Sequence, residues 1–167
     1  MIPQVKKILY ATDLSKNSSY AFYYAIDLAR RYDAKIVILH AIEPIPIYLE
    51  TYVASLAERE EEDRQKVSQQ VQKLLEDFCK KVEKQMGAPC LVLVSNILVR
   101  ISHPVEEILQ VADDEKCNII VLGSHGKGFL KQTFLGSVSN AVLTRSRKPV
   151  FIIPLPSEKE MADLESI

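Results

Sequence analysis

The chain has 167 residues, of which 47% are hydrophobic, and its formal net charge is −1. This length is close to the commonest domain size and can bury one core, so we expect one domain. No apolar run approaches the roughly 20 residues that span a bilayer, and the balanced charge lacks the broad basic surface usual for nucleic-acid binding. Because the charged start is also unlike a signal peptide, we expect a soluble, cytoplasmic protein with neither membrane nor nucleic acid as partner.

The first predicted unit consists of a strand, a helix and a second strand. Residues 5–12 are predicted to form a strand that leads to Asp13, and Lys35–Ile42 is a nearly continuous apolar run of the kind found in strands buried on both faces. Between them, apolar residues recur at helical spacing after a polar start at residues 15–18. This pattern predicts a βαβ unit.

A long polar helix is predicted for residues 51–86, and Gly87 and Pro89 are expected to stop it. Its charged segment 58–66 has alternating signs, which favours a solvated face over a partner-binding surface. A third strand is predicted for residues 90–94, with its extension towards Val99 left open. The three cysteines, Cys79, Cys90 and Cys117, lack zinc-site spacing, and we expect buried, reduced thiols.

The second half of the chain continues the alternation. Pro104 opens a helix, residues 118–122 form a fourth strand, a helix follows Gly136, and residues 149–153 form a fifth strand. Alternating strands and helices predict an α/β fold, a three-layer open sandwich around a five-stranded parallel sheet. Residues 157–167 are interpreted as a peripheral acidic tail.

Four of the five glycines lie between Gly123 and Gly136, directly after the fourth strand and before a helix. Glycine allows close approach of a ligand to the backbone, and a helix start offers unpaired N–H groups, so the segment is interpreted as a phosphate cradle. Residues 117–157 carry five Lys or Arg and no acidic residue, which gives +5 against −6 elsewhere. This charge suits phosphate, although Arg145 and Lys148 also fit ordinary helix-end charges.

Two common nucleotide motifs are excluded. A Walker loop requires Gly-Lys-Ser/Thr at its end, but Phe129 and Leu130 follow Gly128. A dinucleotide fingerprint requires glycines after the first strand, where this chain has Ala11, Thr12 and Asp13. The sequence Ser124-His125 lacks the Gly-x-Ser-x-Gly context of a serine hydrolase.

The pattern that remains is Gly123-x-x-Gly126, nine residues, then Gly136-Ser137. It resembles the ATP-binding subgroup of the universal stress protein family, and the similarity covers residues 1–156. The resemblance implies an adenine nucleotide alpha hydrolase-like sheet with strand order 3-2-1-4-5. It also implies binding of ATP or ADP, with Mg²⁺ or Mn²⁺ as an option beside the phosphates, and a homodimer paired through the last strand, namely Val150, Phe151, Ile152 and Ile153.

By the same resemblance, Ala11 and Ala41 would frame the adenine, Asp13 would lie beside the adenosine and Gly123 would contact the ribose. The phosphates would be surrounded by residues of the glycine-rich loop and the following helix: Gly126, Lys127, Gly128, Ser137, Val138 and Ser139. Thr12, Ser124, His125 and Gly136 complete the candidate site. The family often has proline at position 11 and glycine at position 102, where this chain has Ala11 and Ser102.

The functional prediction is a nucleotide-dependent switch in stress response with an unidentified protein partner. A slow ATPase or nucleotidyl-transfer enzyme and a nucleotide-independent interaction module are the alternatives. Asp13 is open to roles as ribose contact, metal ligand or helix cap, with the ligand roles favoured. His125 is interpreted as a loop residue more readily than as a general base, and His40 as a satisfied core histidine.

Overall fold

The computed structural model describes residues 2–44, 57–87, 89–125, 135–157, 159–160 and 162, and for residues 16 and 57–64 it describes the backbone alone. Within these ranges the chain forms five strands and four helices. The strands are β1 (Lys7–Ala11), β2 (Lys35–Ile42), β3 (Val94–Ile101), β4 (Ile119–Gly123) and β5 (Val150–Ile153). The helices are α1 (Lys16–Tyr32), α2 (Ala57–Met86), α3 (Pro104–Asp114) and α4 (Ser137–Arg145).

All strands are parallel and their order is β3-β2-β1-β4-β5, which confirms the predicted sheet. Strand β1 lies at the centre, where Leu9 is level with Val37 of β2 on one side and with Ile120 of β4 on the other. These three side chains are fully buried. Central parallel strands are covered on both faces, which explains why β1 and β2 are nearly continuous apolar runs after their first lysine.

Two cores separate the sheet from its helices. Alternate residues of β1 point to opposite faces, so that Ile8 and Tyr10 pack in the core beneath α1 and α2. Leu9 and Ala11 pack in the other core, beneath α3 and α4. The predicted three layers are thereby confirmed. Within the described ranges, no helix combines the length and apolar character needed to cross a membrane.

The third strand differs from its prediction. It begins at Val94 and ends at Ile101, while residues 90–93 form a turn in which the Leu93 N–H donates to the Cys90 carbonyl (2.9 Å). The apolar run misled the prediction because Cys90 is buried against α2, whereas Val92 is 63% exposed. Strand β3 lies at the sheet edge, and its polar, partly exposed residues give a weak strand signal.

The start of α1 and the end of α2 agree with their predictions, whereas the predicted start of α2 near residue 51 lies outside the described residues. Ser15 caps α1, since its hydroxyl accepts from the Ser18 N–H at 3.2 Å. Helix α2 ends at Met86, and Gly87 follows in the left-handed region with φ 61°. The charged segment 58–66 is helical, but the question of its solvated face falls mostly on side chains outside the described residues.

Candidate functional site

The sheet reverses its direction of winding between β1 and β4. From β1 the chain crosses to α1 on one face, and from β4 it leads to α4 on the other face. The two connections diverge at the carboxyl ends of adjacent strands, and this divergence leaves a crevice where α/β proteins bind their ligands. The predicted site residues after β1 and β4 lie on the two sides of this crevice.

The β1–α1 connection is fixed by short local hydrogen bonds. The Thr12 N–H donates to the Leu39 carbonyl (2.9 Å), which extends the pairing of β1 with β2. The Thr12 hydroxyl accepts from the Leu14 N–H (3.0 Å) and contacts the Ser18 hydroxyl (2.7 Å). These bonds hold Leu14 in the left-handed region at φ 65°, a conformation that costs an L residue about 1–2 kcal/mol. The loop is therefore held in one conformation by its own polar groups.

Asp13 lies half-buried in this connection. One carboxylate oxygen accepts from the Ser15 N–H at 3.0 Å, which is an Asx turn at the approach to α1. Ser15, and not Asp13, is the N-cap residue of α1. Asp13 thus stabilises the loop before α1 and is not the residue that caps the helix. Its predicted role beside an adenosine stays a prediction.

The adenine-framing candidates lie on neighbouring strands. Ala11 ends β1 and is buried, while Ala41 is the last but one residue of β2 and is half-buried. His40, which precedes Ala41 on β2, is buried, and its Nδ1 lies 2.7 Å from the Thr12 carbonyl oxygen. The interpretation of His40 as a satisfied core histidine is confirmed. Its ring links β2 to the start of the β1–α1 connection.

Gly123 is the last residue of β4 and lies close to the start of α1. A Cβ built on Gly123 would lie 3.4 Å from the His125 carbonyl oxygen and 3.6 Å from backbone atoms of Asn17 and Ser18 at the start of α1. A Cβ at this position would therefore be in ordinary van der Waals contact with the first turn of α1. The end of β4 and the start of α1 are therefore direct neighbours at Gly123.

The first turn of α4 closes the other side of the glycine-rich segment. The Gly136 N–H donates to the Ser124 carbonyl (2.8 Å), and the Ser139 hydroxyl donates to the Gly123 carbonyl (2.8 Å). Gly136 is the N-cap residue and offers no side-chain acceptor to the N–H groups of the first turn. The two ends of the segment are thus in contact, although Gly126, Lys127 and Gly128 lie outside the described residues.

The remaining site residues differ in exposure. Ser137 is exposed, Val138 is half-buried and packs against the α3–α4 core, and Ser139 is buried. Ser124 is also buried, and its hydroxyl lies 3.0 Å from His125 Nδ1. The structure therefore brings together every predicted site residue that it describes after β4, at the carboxyl edge of the sheet.

Two of the basic residues counted towards phosphate are engaged elsewhere. Arg145 makes a two-pronged ion pair with Glu106 of α3, with N···O distances of 2.7 and 3.0 Å. This pairing lowers the pKa of the Glu106 carboxyl. Lys148 pairs with Asp113 at 3.1 Å. Because these pairs lie towards the C-terminal end of α4, they support the helix-end interpretation of both charges.

These features place the chain among known proteins. The sequence matches the model of the universal stress protein family over residues 4–154. The chain belongs to this family. It is 32% identical over 158 residues to universal stress protein MJ0577 of Methanocaldococcus jannaschii, with 89% of this chain and 94% of that protein covered. The solved structure of MJ0577 matches with a TM-score of 0.73 at 30% identity, covering 93% of this chain and 100% of that chain.

Two further universal stress protein structures share the fold at lower identity. One is a complex with cAMP, with a TM-score of 0.59, 21% identity and coverage of 92% of this chain and 100% of that chain. The other is from Arabidopsis thaliana with AMP bound, with a TM-score of 0.56, 15% identity and coverage of 92% and 94%. At these identities the likeness shows the fold alone.

Sequence reasoning missed the hydrogen bonds by which Ser18 and Tyr10 shape the site of this universal stress protein. Ser18 was considered only as a place where α1 begins, yet its hydroxyl contacts Thr12 and its carbonyl accepts from the buried Tyr10 hydroxyl (2.7 Å). The tyrosine hydroxyl in an otherwise apolar strand was the available signal, because a buried hydroxyl requires a partner.

Proposed function

We propose that this universal stress protein binds an adenine nucleotide, ATP or ADP, in the crevice beyond β1 and β4, and that occupancy of the crevice switches a surface recognised by a partner protein. The observation that carries the proposal is the contact between Ser124 and Gly136 (2.8 Å), which brings the two ends of the spaced-glycine pattern together at the start of a helix. Family membership and the nucleotide complexes of two relatives support the choice of an adenine nucleotide.

The phosphates are proposed to bind at the start of α4. The N–H groups of the first turn have no side-chain acceptor on Gly136, and the helix dipole adds a partial positive charge there. The exposed Ser137 hydroxyl is a further donor at this position. Gly126, Lys127 and Gly128 are proposed to complete the phosphate contacts.

The adenosine is proposed to lie towards β1 and β2, against Ala11 and Ala41, with Asp13 beside the ribose. Small side chains at the ends of these strands leave room for a planar base. Among the described residues no group of three acidic, His or Cys side chains could hold a metal ion. A Mg²⁺ or Mn²⁺ ion is proposed to accompany the phosphates, with Asp13 as its candidate protein ligand.

The domain and the compartment follow the sequence predictions. We propose one nucleotide-binding domain over residues 1–156, followed by the tail at residues 157–167, in a cytoplasmic protein. The support is the family match, which covers residues 4–154, and the composition.

The direct test is mass spectrometry of the ligand retained by the purified protein, followed by calorimetry with ATP, ADP and AMP. We expect binding of adenine nucleotides, and no binding at millimolar concentration would leave only the interaction module. Gly136→Val should weaken ATP binding by roughly tenfold or more, because it places a side chain where a phosphate is proposed to rest. The backbone of Gly136 (φ −57°, ψ 153°) is accessible to valine, so the variant should still fold.

The enzyme alternative is tested in the same preparation. Product release from ATP is followed over hours with Mg²⁺ or Mn²⁺ for the wild type, Asp13→Ala and His125→Ala. A binding switch predicts at most slow turnover that His125→Ala leaves in place. Robust turnover abolished by either variant would favour the enzyme and overturn the switch.

A further inference from the structure

Two serines in the first turn of α4 have different surroundings. Ser137 is exposed, whereas Ser139 is only 7% exposed and its hydroxyl donates to the Gly123 carbonyl oxygen at 2.8 Å. A serine hydroxyl carries a single proton. The proton of Ser139 is therefore committed to a backbone carbonyl 16 residues earlier in the chain, and is not available to a phosphate oxygen.

Gly123 has the start of α1 on one side and the first turn of α4 on the other. Its Cα approaches the first turn of α1, since a Cβ there would lie 3.6 Å from the Asn17 carbonyl oxygen. The next residue, Ser124, is held on two sides, because its N–H donates to the Ile153 carbonyl (2.7 Å) and its carbonyl accepts from the Gly136 N–H (2.8 Å). The Ser139 hydroxyl supplies the remaining tie, from α4 to Gly123.

We propose that Ser139 is a positioning residue: its hydroxyl fixes the Gly123 peptide against α4, and thereby sets the mouth of the nucleotide crevice without contacting the nucleotide phosphates. Ser137, two residues earlier, is the phosphate-facing serine of the pair. This inference rests on the proposed function, and it assigns Ser139 a role different from that of a phosphate ligand.

The two roles predict different dependence on the ligand. A residue that positions Gly123 acts on the crevice before any ligand enters. Removing its hydroxyl should therefore lower the affinities for adenosine and for ATP by the same factor. A direct phosphate donor contributes nothing to adenosine, which has no phosphate. The expected common factor for Ser139→Ala is roughly two- to tenfold, the range of one neutral hydrogen bond.

The experiment compares wild type, Ser139→Ala, Ser139→Thr and the matched control Ser137→Ala. Affinities for adenosine, AMP and ATP are measured by competition, and the ¹³C′ resonance of Gly123 and the amide resonance of Ser124 are measured without ligand. We expect Ser139→Ala to shift both resonances and to lower all three affinities equally, with Ser139→Thr restoring both readouts because it retains the hydroxyl. Ser137→Ala should leave adenosine binding and the Gly123 resonance unchanged while weakening ATP.

Three outcomes would overturn the proposal. Weaker ATP binding with unchanged adenosine binding in Ser139→Ala would make Ser139 a phosphate ligand. An unchanged Gly123 resonance would show that the hydrogen bond does not hold the peptide, and unchanged affinities would show that the crevice does not depend on it. If the wild type binds none of the three ligands, the proposed function fails. The resonances measured without ligand then still test whether the Ser139 hydroxyl holds the Gly123 peptide.

Discussion

At the scale of single residues, the carboxyl edge of the sheet is built from buried polar groups that satisfy one another. Tyr10 donates to the Ser18 carbonyl, the Thr12 and Ser18 hydroxyls are 2.7 Å apart, and His40 lies 2.7 Å from the Thr12 carbonyl. An unsatisfied buried polar group costs about 1–3 kcal/mol, so each partner constrains the others. Burial also raises the pKa of the Tyr10 hydroxyl well above its ordinary value, which keeps it a donor. These hydrogen bonds join β1, β2 and the start of α1 at the carboxyl ends of the strands.

Burial of the three cysteine thiols should protect them from modification in the native protein. All are free and buried, as the sequence predicted. The hydrogen bond from Cys79 raises its own pKa and lowers that of Cys90, and burial raises the pKa of Cys117 to about 11. Because the thiolate is the reactive form, we expect an aromatic disulfide reagent at pH 7.5 to leave native protein unmodified over minutes and to modify all three thiols in urea.

The slow reaction of the native protein should begin at Cys90. Its thiol is the one with the lowered pKa, and it lies in a turn whose neighbours Leu91 and Val92 are exposed. Cys90→Ser should remove the earliest modified peptide found by mass mapping, whereas Cys117→Ser should not. Rapid modification of the wild type within seconds would contradict the burial of these thiols.

Long-range partners explain what the sequence could not predict at this scale. Arg145 and Glu106 are 39 positions apart, and Ser139 and Gly123 are 16 apart. No local pattern marks such pairs, because the contact is created by packing of elements. The glycine spacing, by contrast, is visible in the sequence itself, so Gly123 and Gly136 could be predicted to flank a site. The hydrogen bonds that join Gly123 to Ser139 and Ser124 to Gly136 could not be predicted.

At the scale of elements, two residues that follow helices have strained, left-handed backbone although they are not glycine. Asp33 ends α1 with φ 51°, and Lys116 follows α3 with φ 55°. Left-handed backbone costs an L residue about 1–2 kcal/mol, and glycine avoids this cost but loses more entropy on folding. We expect Asp33→Gly to raise the free energy of unfolding by about 0.5 kcal/mol in urea titration.

The converse variant is available at Gly87. It has φ 61° and a Cβ there would meet nothing within 4 Å, so Gly87→Ala isolates the backbone effect. We expect a loss of about 1 kcal/mol. Equal stability of Gly87→Ala and wild type would contradict the left-handed conformation, as would a loss of stability in Asp33→Gly.

Elements differ in how well the sequence predicts them. Strands β1 and β2 lie inside the sheet, and burial on both faces makes nearly all their residues after the first lysine apolar. Strand β3 is at the edge and includes the polar residues Ser95 and Asn96, so its apolar signal was weaker than that of the preceding turn. Fold class and strand order could be predicted because alternation and family pattern are global properties, whereas edge boundaries depend on neighbours.

The start of the predicted tail contacts α1 through Glu160. Ser157 N and Oγ donate to Glu160 Oε2 at 2.7 and 2.6 Å, and the Tyr20 hydroxyl of α1 donates to Oε1 at 2.7 Å. These hydrogen bonds, that of the Ser157 hydroxyl above all, lower the pKa of Glu160 to about 2. The contact is therefore stabilising above the ordinary glutamate value near 4.5 and is lost as pH falls through about 2.

We expect an NMR titration of the Glu160 carboxyl to give a midpoint near 2. Ser157→Ala should raise the midpoint more than Tyr20→Phe, because it removes the largest contribution to the lowered pKa. Glu160→Gln is the control that assigns the signal, because glutamine has no carboxyl group and should show no titration. A wild-type midpoint above 4 would show that the tail does not contact α1 in solution.

At the scale of the whole molecule, the fold presents one apolar sheet edge beside the proposed nucleotide crevice. Strand β5 pairs with β4 on one side, with the Pro149 and Ile153 carbonyls pointing to β4. Successive peptide groups alternate, so the N–H and C=O groups of Val150 and Ile152 point away from the sheet. Such an edge invites pairing with another strand, and a second copy of β5 is the proposed partner.

Antiparallel pairing of two β5 strands would place the two Phe151 side chains, each 41% exposed, near the symmetry axis. Phe151→Glu should then bring two carboxylates together and raise the dimer dissociation constant by roughly tenfold or more, measured by sedimentation. Leu74→Glu is the matched control, since Leu74 is 55% exposed on α2, which packs against the opposite sheet edge at β3. A monomeric wild type, or equal dissociation of the two variants, would contradict the β5 dimer, because only a contact at this edge makes position 151 sensitive and position 74 neutral.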